Sequence, residues 1–172
     1  EGHGTYHEPF VGGGALFFDT APERAILADW NPRLVRTYRS VRDNPEAVIA
    51  RLATYPNEKE FFLRMREQDI DAGSDEDLAA WMIYLNKTGF NGLYRVNRRG
   101  GFNVPFGRYK NPKICDADNL RAASERLQGV EILHSDFRGV EERCKPGDFV
   151  YFDPPYVPAS NTASFTAYTK NG

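Results

Sequence analysis

Three consecutive glycines, Gly12-Gly13-Gly14, stand between the extended-looking run Thr5–Val11 and the apolar Ala15-Leu-Phe-Phe18. A glycine run at that junction predicts a strand, a tight turn and a helix start, with room for a ligand against bare backbone. Ala25-Ile-Leu-Ala28 reads as a second short strand ending in Asp29, and Asn31-Pro32 as a helix cap followed by proline in the first turn. Leu34, Val35, Tyr38 and Val41 keep helical spacing behind it, and Asn44-Pro45 repeats the start signal ahead of Val48, Ile49 and Leu52. Residues 58–69 and 75–88 read as helices. Asp116 caps a helix through Leu127, Val130–Leu133 is a strand, and Asp148–Phe152 is a buried strand running into Asp153-Pro-Pro-Tyr156. Strands alternating with helices predict an α/β fold built on a parallel sheet, which binds ligands at the carboxyl ends of its strands. Gly12, Asp29, Asp136 and Asp153 all fall at such ends.

The rest of the composition narrows the class. With 172 residues and a formal charge of −2, the chain is no globally basic nucleic-acid coat, although a local basic patch is compatible with that balance. Two cysteines, Cys115 and Cys144, make no disulfide framework, so a reducing cytoplasm is expected. No run of about 18 apolar residues predicts a membrane span, and nothing resembles a signal peptide. The first residue is Glu1 and the last two, Asn171-Gly172, are polar, which points to a piece of a longer chain.

Asp29 lies 17 residues beyond Gly12, where an acid accepts hydrogen bonds from ribose hydroxyls. A close-packed turn with a helix-capping aspartate explains the same residues equally well. The dinucleotide pattern is incomplete, because Phe17 stands at the third glycine position. Asp153-Pro-Pro-Tyr156 is more telling. An exocyclic aromatic amine is a poor nucleophile, since its lone pair is delocalised into the ring. Asp153 and the carbonyl of Pro154 each accept one N–H in a favourable pose and bias that nitrogen toward an electrophile, while Tyr156 stacks on the base. Pro155 stiffens the turn.

Several segments occur in the order of one known family: Glu8-Pro-Phe-Val-Gly-Gly-Gly14, Asp29-Trp-Asn31, Asn91-Gly-Leu-Tyr-Arg95, Phe102-Asn-Val-Pro-Phe-Gly-Arg-Tyr-Lys110 and Asp153-Pro-Pro-Tyr156. The chain resembles a DNA adenine methyltransferase of the Dam type across essentially its whole length. The resemblance implies a Rossmann-like methyltransferase sheet, incomplete here, with an inserted helical and β-hairpin DNA-recognition region. It implies S-adenosylmethionine as methyl donor, no metal, and the N6 amine of an adenine flipped out of double-stranded DNA, in GATC, as acceptor. Phe10, Gly12 and Gly14 match the cofactor turn, Asp29 the ribose-binding acid, and Asp136-Phe137 the position beside the cofactor's adenine. Asp153 to Tyr156 match the catalytic motif, with Asp153 also near the cofactor's methionine part. The family's N-terminal Trp and Gly-Gly-Lys segment has no counterpart here, and the family continues for several elements beyond the motif, whereas this chain stops 16 residues past Tyr156. Residues 1–55 and 114–172 are therefore expected to form a partial cofactor-binding catalytic domain, and residues 56–113 a target-recognition region. A catalytically inactive, truncated DNA-binding fragment is the alternative.

Between Asp77 and Asp116 the chain has no acid but carries Lys87, Arg95, Arg98, Arg99, Arg108, Lys110 and Lys113; elsewhere 15 cations face 24 acids. Such segregation predicts a phosphate-binding face, with Phe90, Tyr94, Phe102, Phe106 and Tyr109 interleaved for stacking or wedging. By similarity, Arg95 reads a guanine and Phe90 inserts where the adenine leaves. Leu93 and Pro105 touch base edges, and Asn97, Asn103 and Arg108 hold phosphates.

The remaining residues read as structural. His3 and His7 lie near a frayed terminus and His134 ends a strand, so the histidines and cysteines form no metal site. Trp30 and Trp81 are expected to pack, although Trp30 follows Asp29 and so could lie beside a cofactor. Met65 and Met82 read as core. Protein-glutamine methyltransferases commonly carry Asn where Asp153 stands. Cytosine C5 chemistry needs a cysteine after a proline, which neither cysteine satisfies, and Phe17 disfavours a nicotinamide dehydrogenase. Cytosine-amine and RNA-base methyltransferases are rivals within the class. No feature calls for an obligate protein partner. A cytoplasmic enzyme of a bacterium, archaeon or phage is expected, in a restriction, phage or regulatory setting.

Overall fold

The computed structural model describes residues 4–154. Four parallel strands form one sheet in the order β3-β2-β1-β4: β1 (Tyr6–Glu8), β2 (Ala25–Asp29), β3 (Glu131–His134) and β4 (Phe149–Val150). Tyr6 pairs with Ala25 on one side and Phe149 on the other, and Asp29 with His134. Because every strand runs the same way, every carboxyl end lies on one edge, as the alternation of elements predicted.

The first strand is shorter than the predicted Thr5–Val11. Pro9 has no N–H to give a ladder, and the glycines turn the chain at once into α1 (Ala15–Thr20). After β2 the chain enters α2 (Pro32–Asp43), where the Asn31 side chain accepts from the N–H of Arg33 at 3.1 Å. The second Asn-Pro pair also starts a helix, α3 (Pro45–Leu52), but the Asn44 side chain donates to Glu76 instead of capping. Helices α4 (Lys59–Glu67) and α5 (Asp75–Thr88) follow. Ser74 caps α5, and Asp75, Glu76 and Asp77 in its first turn suit the helix dipole. Helix α6 (Ala117–Leu127) leads back to the sheet.

Between α5 and α6 the chain runs out and back as an irregular arm. Only two antiparallel bridges form, Gly89 with Phe106 and Val96 with Phe102. The predicted β-hairpin is therefore a chain reversal held by single hydrogen bonds, such as Asn103 N–H to the Arg95 carbonyl at 2.7 Å, rather than a regular ladder.

One apolar core runs from the sheet (Tyr6, Leu27, Ile132) through α2 (Val35, Tyr38, Val41) into α4, α5 and the arm (Phe62, Trp81, Phe102). Phe62, Trp81 and Tyr84 are essentially inaccessible, each contributing about 1.5–3 kcal/mol by burial. The polar ends of two of them are met: Trp81 donates to the Met65 carbonyl at 2.6 Å and Tyr84 to that of Pro56 at 3.0 Å. Met65 and Met82 are buried as expected.

Candidate functional site: a glycine turn and a carboxyl edge beside a basic arm

The glycine turn and Asp29 are locked together. Gly12 and Gly14 hold φ of +47° and +64°, a region costly for side-chain-bearing residues. The Gly12 N–H donates to Asp29 Oδ2 at 3.2 Å and the Asn31 N–H to Oδ1 at 2.8 Å. Burial pushes the Asp29 carboxyl up, while those N–H groups pull it back. Tyr38 donates its hydroxyl to the Gly12 carbonyl at 3.0 Å. A Cβ on Gly14 would stand 2.7 Å from that hydroxyl, whereas one on Gly13 would meet nothing within 4 Å. The turn is packed on its inner side and open on its outer side.

Two bracing residues emerge only in the folded chain. Glu8, which the sequence marks only as part of a motif, is 3% exposed and accepts from the Tyr6 hydroxyl at 2.7 Å and from the N–H of Phe17. Burial pushes its carboxyl up, and neighbouring Asp153 adds to that. Tyr38 shows in the sequence only as part of an apolar helix face. An acid inside a strand's inward run is the available signal for Glu8; nothing local marks Tyr38.

The strand that leads into Asp153-Pro154 reaches the same edge. Tyr151 donates its N–H to the His7 carbonyl at 2.9 Å, so β4 tracks β1 up to the motif. Phe152 lies 6.3 Å from Phe10, and Phe10 stacks on Phe137 at 5.6 Å. Phe137 and Phe152 are about half exposed, forming an open aromatic patch, and Asp153 and Pro154 are exposed beside it. Pro155 and Tyr156 lie outside the described residues. Asp136 accepts from the Arg138 backbone N–H at 2.9 Å and pairs with the Arg138 guanidinium at 2.6 Å, which holds its carboxyl below the usual range.

On the arm, Phe90, Leu93 and Pro105 are exposed, and so are Asn97, Asn103 and Arg108. Arg95 is folded back, its Nε and one terminal nitrogen donating to the Asn103 carbonyl at 3.1 and 2.7 Å. Asn97 Oδ1 accepts the N–H groups of Arg99 and Gly101, which commits that oxygen to the turn. Of the five interleaved aromatics, Phe90 and Tyr109 face solvent. Phe102 is 4% exposed and Tyr94 and Phe106 pack on the core, so these three anchor the arm.

Residues 1–172 match the model of the D12 class N6 adenine-specific DNA methyltransferases. This chain belongs to that family. It is 46% identical over 180 residues to the Type II methyltransferase M1.LlaDCHI of Lactococcus lactis subsp. cremoris, covering all of this chain and 63% of the relative. It is 44% identical to the Type II methyltransferase M.MjaIII of Methanocaldococcus jannaschii, covering 96% of this chain and 63% of that protein. It is 39% identical to the DNA adenine methylase of Escherichia coli (strain K12), covering 95% and 60% respectively. The chain thus spans about three-fifths of the length of these curated relatives.

Two structural expectations, on His7 and on Trp30, need correction in this D12-class chain. His7 does not lie in a frayed end: it is 1% exposed in β1, because the sheet closes over it. His3 lies outside the described residues. Histidine and cysteine positions far apart in the sequence are also brought together. His7, Cys144 and Asp148 place ligand-type atoms within 4.8 Å of one another, although Asp148 already accepts from Thr5 and Lys145 N–H groups at 2.6 and 2.8 Å and faces His7 Nε2 at 3.1 Å. That carboxylate closes the base of β1 against β4. Trp81 is buried as expected, but Trp30 is 53% exposed, next to Asp29 and tilted against His134. No helix among the described residues is long and apolar enough to cross a membrane.

Proposed function

We propose that this chain is the larger part of an S-adenosylmethionine-dependent enzyme that methylates the N6 amine of a flipped adenine in double-stranded DNA, with GATC as the target. The reading rests on one juxtaposition: an open glycine turn tied to Asp29, an exposed Asp153-Pro154 on the same sheet edge, and an acid-free basic arm nearby. Residues 1–55 and 114–172 supply the cofactor and catalytic edge, and residues 56–113 the target-recognition region.

The residues present suit the methyl donor. The outer side of Gly12 and Gly13 leaves the space that a bound molecule needs. The Asp29 carboxylate accepts backbone N–H groups from the turns around it, and its two oxygens have lone pairs left for ribose hydroxyls. Phe10, Phe137 and Asp136 line the place for the adenine ring. S-adenosylmethionine supplies an electrophilic methyl group on a sulfonium. Asp153 accepts one N–H of the target amine and the Pro154 carbonyl the other, which turns the nitrogen lone pair toward the methyl carbon. Stacking on the flipped base is the role we assign to Tyr156. Phe90 fills the gap left in the duplex, Arg95 swings from Asn103 to a guanine edge, and Leu93 and Pro105 touch neighbouring bases. Asn97, Asn103 and Arg108 hold phosphates.

Plasmid DNA incubated with the chain and S-adenosylmethionine, then cut with nucleases that discriminate methylated GATC, tests this. Protection that Asp153→Asn lowers by roughly 10²–10³-fold is the expected result. Salt-dependent DNA binding without donor binding or protection would identify a DNA-binding module instead.

A further inference from the structure

Arg33 stands at the meeting point of the cofactor side and the arm. It occupies the first turn of α2, its own N–H capped by Asn31. Its side chain is only 14% exposed. Nε and one terminal nitrogen grip the Asp71 carboxylate at 2.7 Å each, and the other terminal nitrogen donates to the Gly100 carbonyl at 2.8 Å and to the Tyr94 hydroxyl at 3.5 Å. The guanidinium carbon also lies 5.4 Å from the Trp81 ring centroid. One side chain therefore joins α2, the short turn Ile70–Ala72, α5 and the tip of the arm.

Apart from Arg33 and the buried Val96 and Phe102 that flank it, the tip is held by hydrogen bonds within its own turn. Gly100 sits in a tight turn closed by its own N–H to the Asn97 carbonyl. An open cleft of about 440 Å³, lined by Arg33, Arg66, Gln68, Asn97 and Asn103, lies beside the tip, whereas Phe102 and Phe106 of the arm pack on Phe62 of α4. On the other side of Arg33, hydrogen bonds run without a gap from Asn31 to Asp29 and on to the Gly12 N–H.

We propose that Arg33 is a positioning residue that pins the arm's tip to α2 and couples occupancy of the glycine turn to DNA binding. The proposal rests on the reading that Asp29 holds the donor and the arm meets DNA. A ligand that orders the Gly12–Asp29–Asn31 turn also orders the first turn of α2. DNA then meets an arm whose ordering cost is already reduced. Such coupling is reciprocal, so duplex must tighten donor binding by the same factor as donor tightens duplex binding.

The test titrates a fluorescent GATC duplex with the full chain, with and without saturating S-adenosylhomocysteine, and titrates S-adenosylhomocysteine with and without duplex. The wild type is expected to show one coupling factor in both directions, on the order of 5-fold or more. In Arg33→Ala that factor falls to about 1, while affinity for S-adenosylhomocysteine alone stays within about twofold. Arg33→Lys, a point charge without the planar fork, keeps only part of it. Asp71→Asn removes the ion pair but leaves the Gly100 link, so it lowers the melting temperature and retains the coupling. Wild-type coupling in Arg33→Ala, or equal loss of coupling in Asp71→Asn, would overturn the proposal. Independent binding of duplex and S-adenosylhomocysteine by the wild type would overturn it and leave the proposed function standing. Binding of neither would remove both.

Discussion

The arginines of helix α2 and those of the arm share a side chain and differ in what surrounds it. In α2, Arg36 pairs with Asp75 at 2.6 Å, Arg39 donates to the Ile132 carbonyl at 3.0 Å, and Arg42 bridges Asp43 and the Val130 carbonyl at 2.7 and 3.0 Å. Arg33 completes the row with Asp71. On the arm, the side chains of Arg98, Arg99 and Arg108 are exposed and have no partner among the described residues. The first set is engaged in joining the helix to the sheet and to the turn before α5. The second set is exposed and unpaired among the described residues, the state from which neutralising a polyanion's phosphates releases counterions at a gain. Lys113 marks the boundary, since it pairs with Asp116 at 2.7 Å where the acid-free segment ends.

The aromatics of the arm divide in the same manner, and replacing them gives the largest expected effect. Phe102→Ala removes a buried anchor and costs about 3–5 kcal/mol, seen as a lowered denaturant midpoint; Phe90→Ala leaves that midpoint in place and weakens duplex binding. Equal stability losses would break the division between anchor and exposed wedge. Next, replacing Arg98, Arg99 and Arg108 together with alanine should leave the melting temperature unchanged and flatten the dependence of log affinity on log salt. The slope should fall by about 0.9 for each phosphate that is no longer neutralised. An unchanged slope would mean that these side chains do not meet DNA. Arg95→Ala should instead cost roughly 1–3 kcal/mol and relax preference at one base pair, measured across duplexes varied at each position. A uniform loss over all sequences would put Arg95 with the phosphate-binding side chains.

Paired charges on the frame side make the smaller, pH-dependent prediction. The N–H groups of Lys145 and Thr5 hold the Asp148 carboxyl down to about 2. A carboxyl depressed in the folded state stabilises above its unfolded value, near 3.9, and that contribution is lost as pH falls toward 2. The stability gap between wild type and Asp148→Asn should therefore be constant at neutral pH and shrink between about pH 4 and 2 in acid unfolding curves. The smallest effect belongs to Asp43→Ala, which removes only the 60% exposed acid of the Arg42 pair and leaves the Arg42–Val130 bond in place. A loss below about 1 kcal/mol is expected.

Much of the frame is legible in the sequence because its signals are local. Asn31-Pro32 and Asp116 act on N–H groups two or three residues away, so their sequences alone predict helix starts. The glycine run predicts a turn for the same reason. The strand end at Asp29 follows from an apolar run that stops at an acid, whereas the predicted buried strand Asp148–Phe152 shortens to Phe149–Val150, with Phe149 and Phe152 exposed at the sheet's edge. Partnership is what local signals miss. Asn44-Pro45 carries the same start signal as Asn31-Pro32, yet Asn44 turns to Glu76 across the fold. Phe102 and Phe90 look alike in a Gly-rich segment, and only the position of Trp81 and Phe62 makes one of them core. His7 and Trp30 depart from expectation because burial depends on elements far along the chain, Asp148 lying 141 residues from His7.

Residue order by itself determined that helices and parallel strands share the fold, that the glycine turn and Asp29 follow strand ends, and that charge segregates onto one segment. These properties depend on neighbours within a few residues, where backbone sterics, capping and hydrophobic period act. Tertiary structure decided which strands lie side by side, which aromatics anchor the arm, and which arginines are already engaged. Those outcomes depend on packing between residues tens to more than a hundred positions apart, and no local preference encodes a partner at that distance.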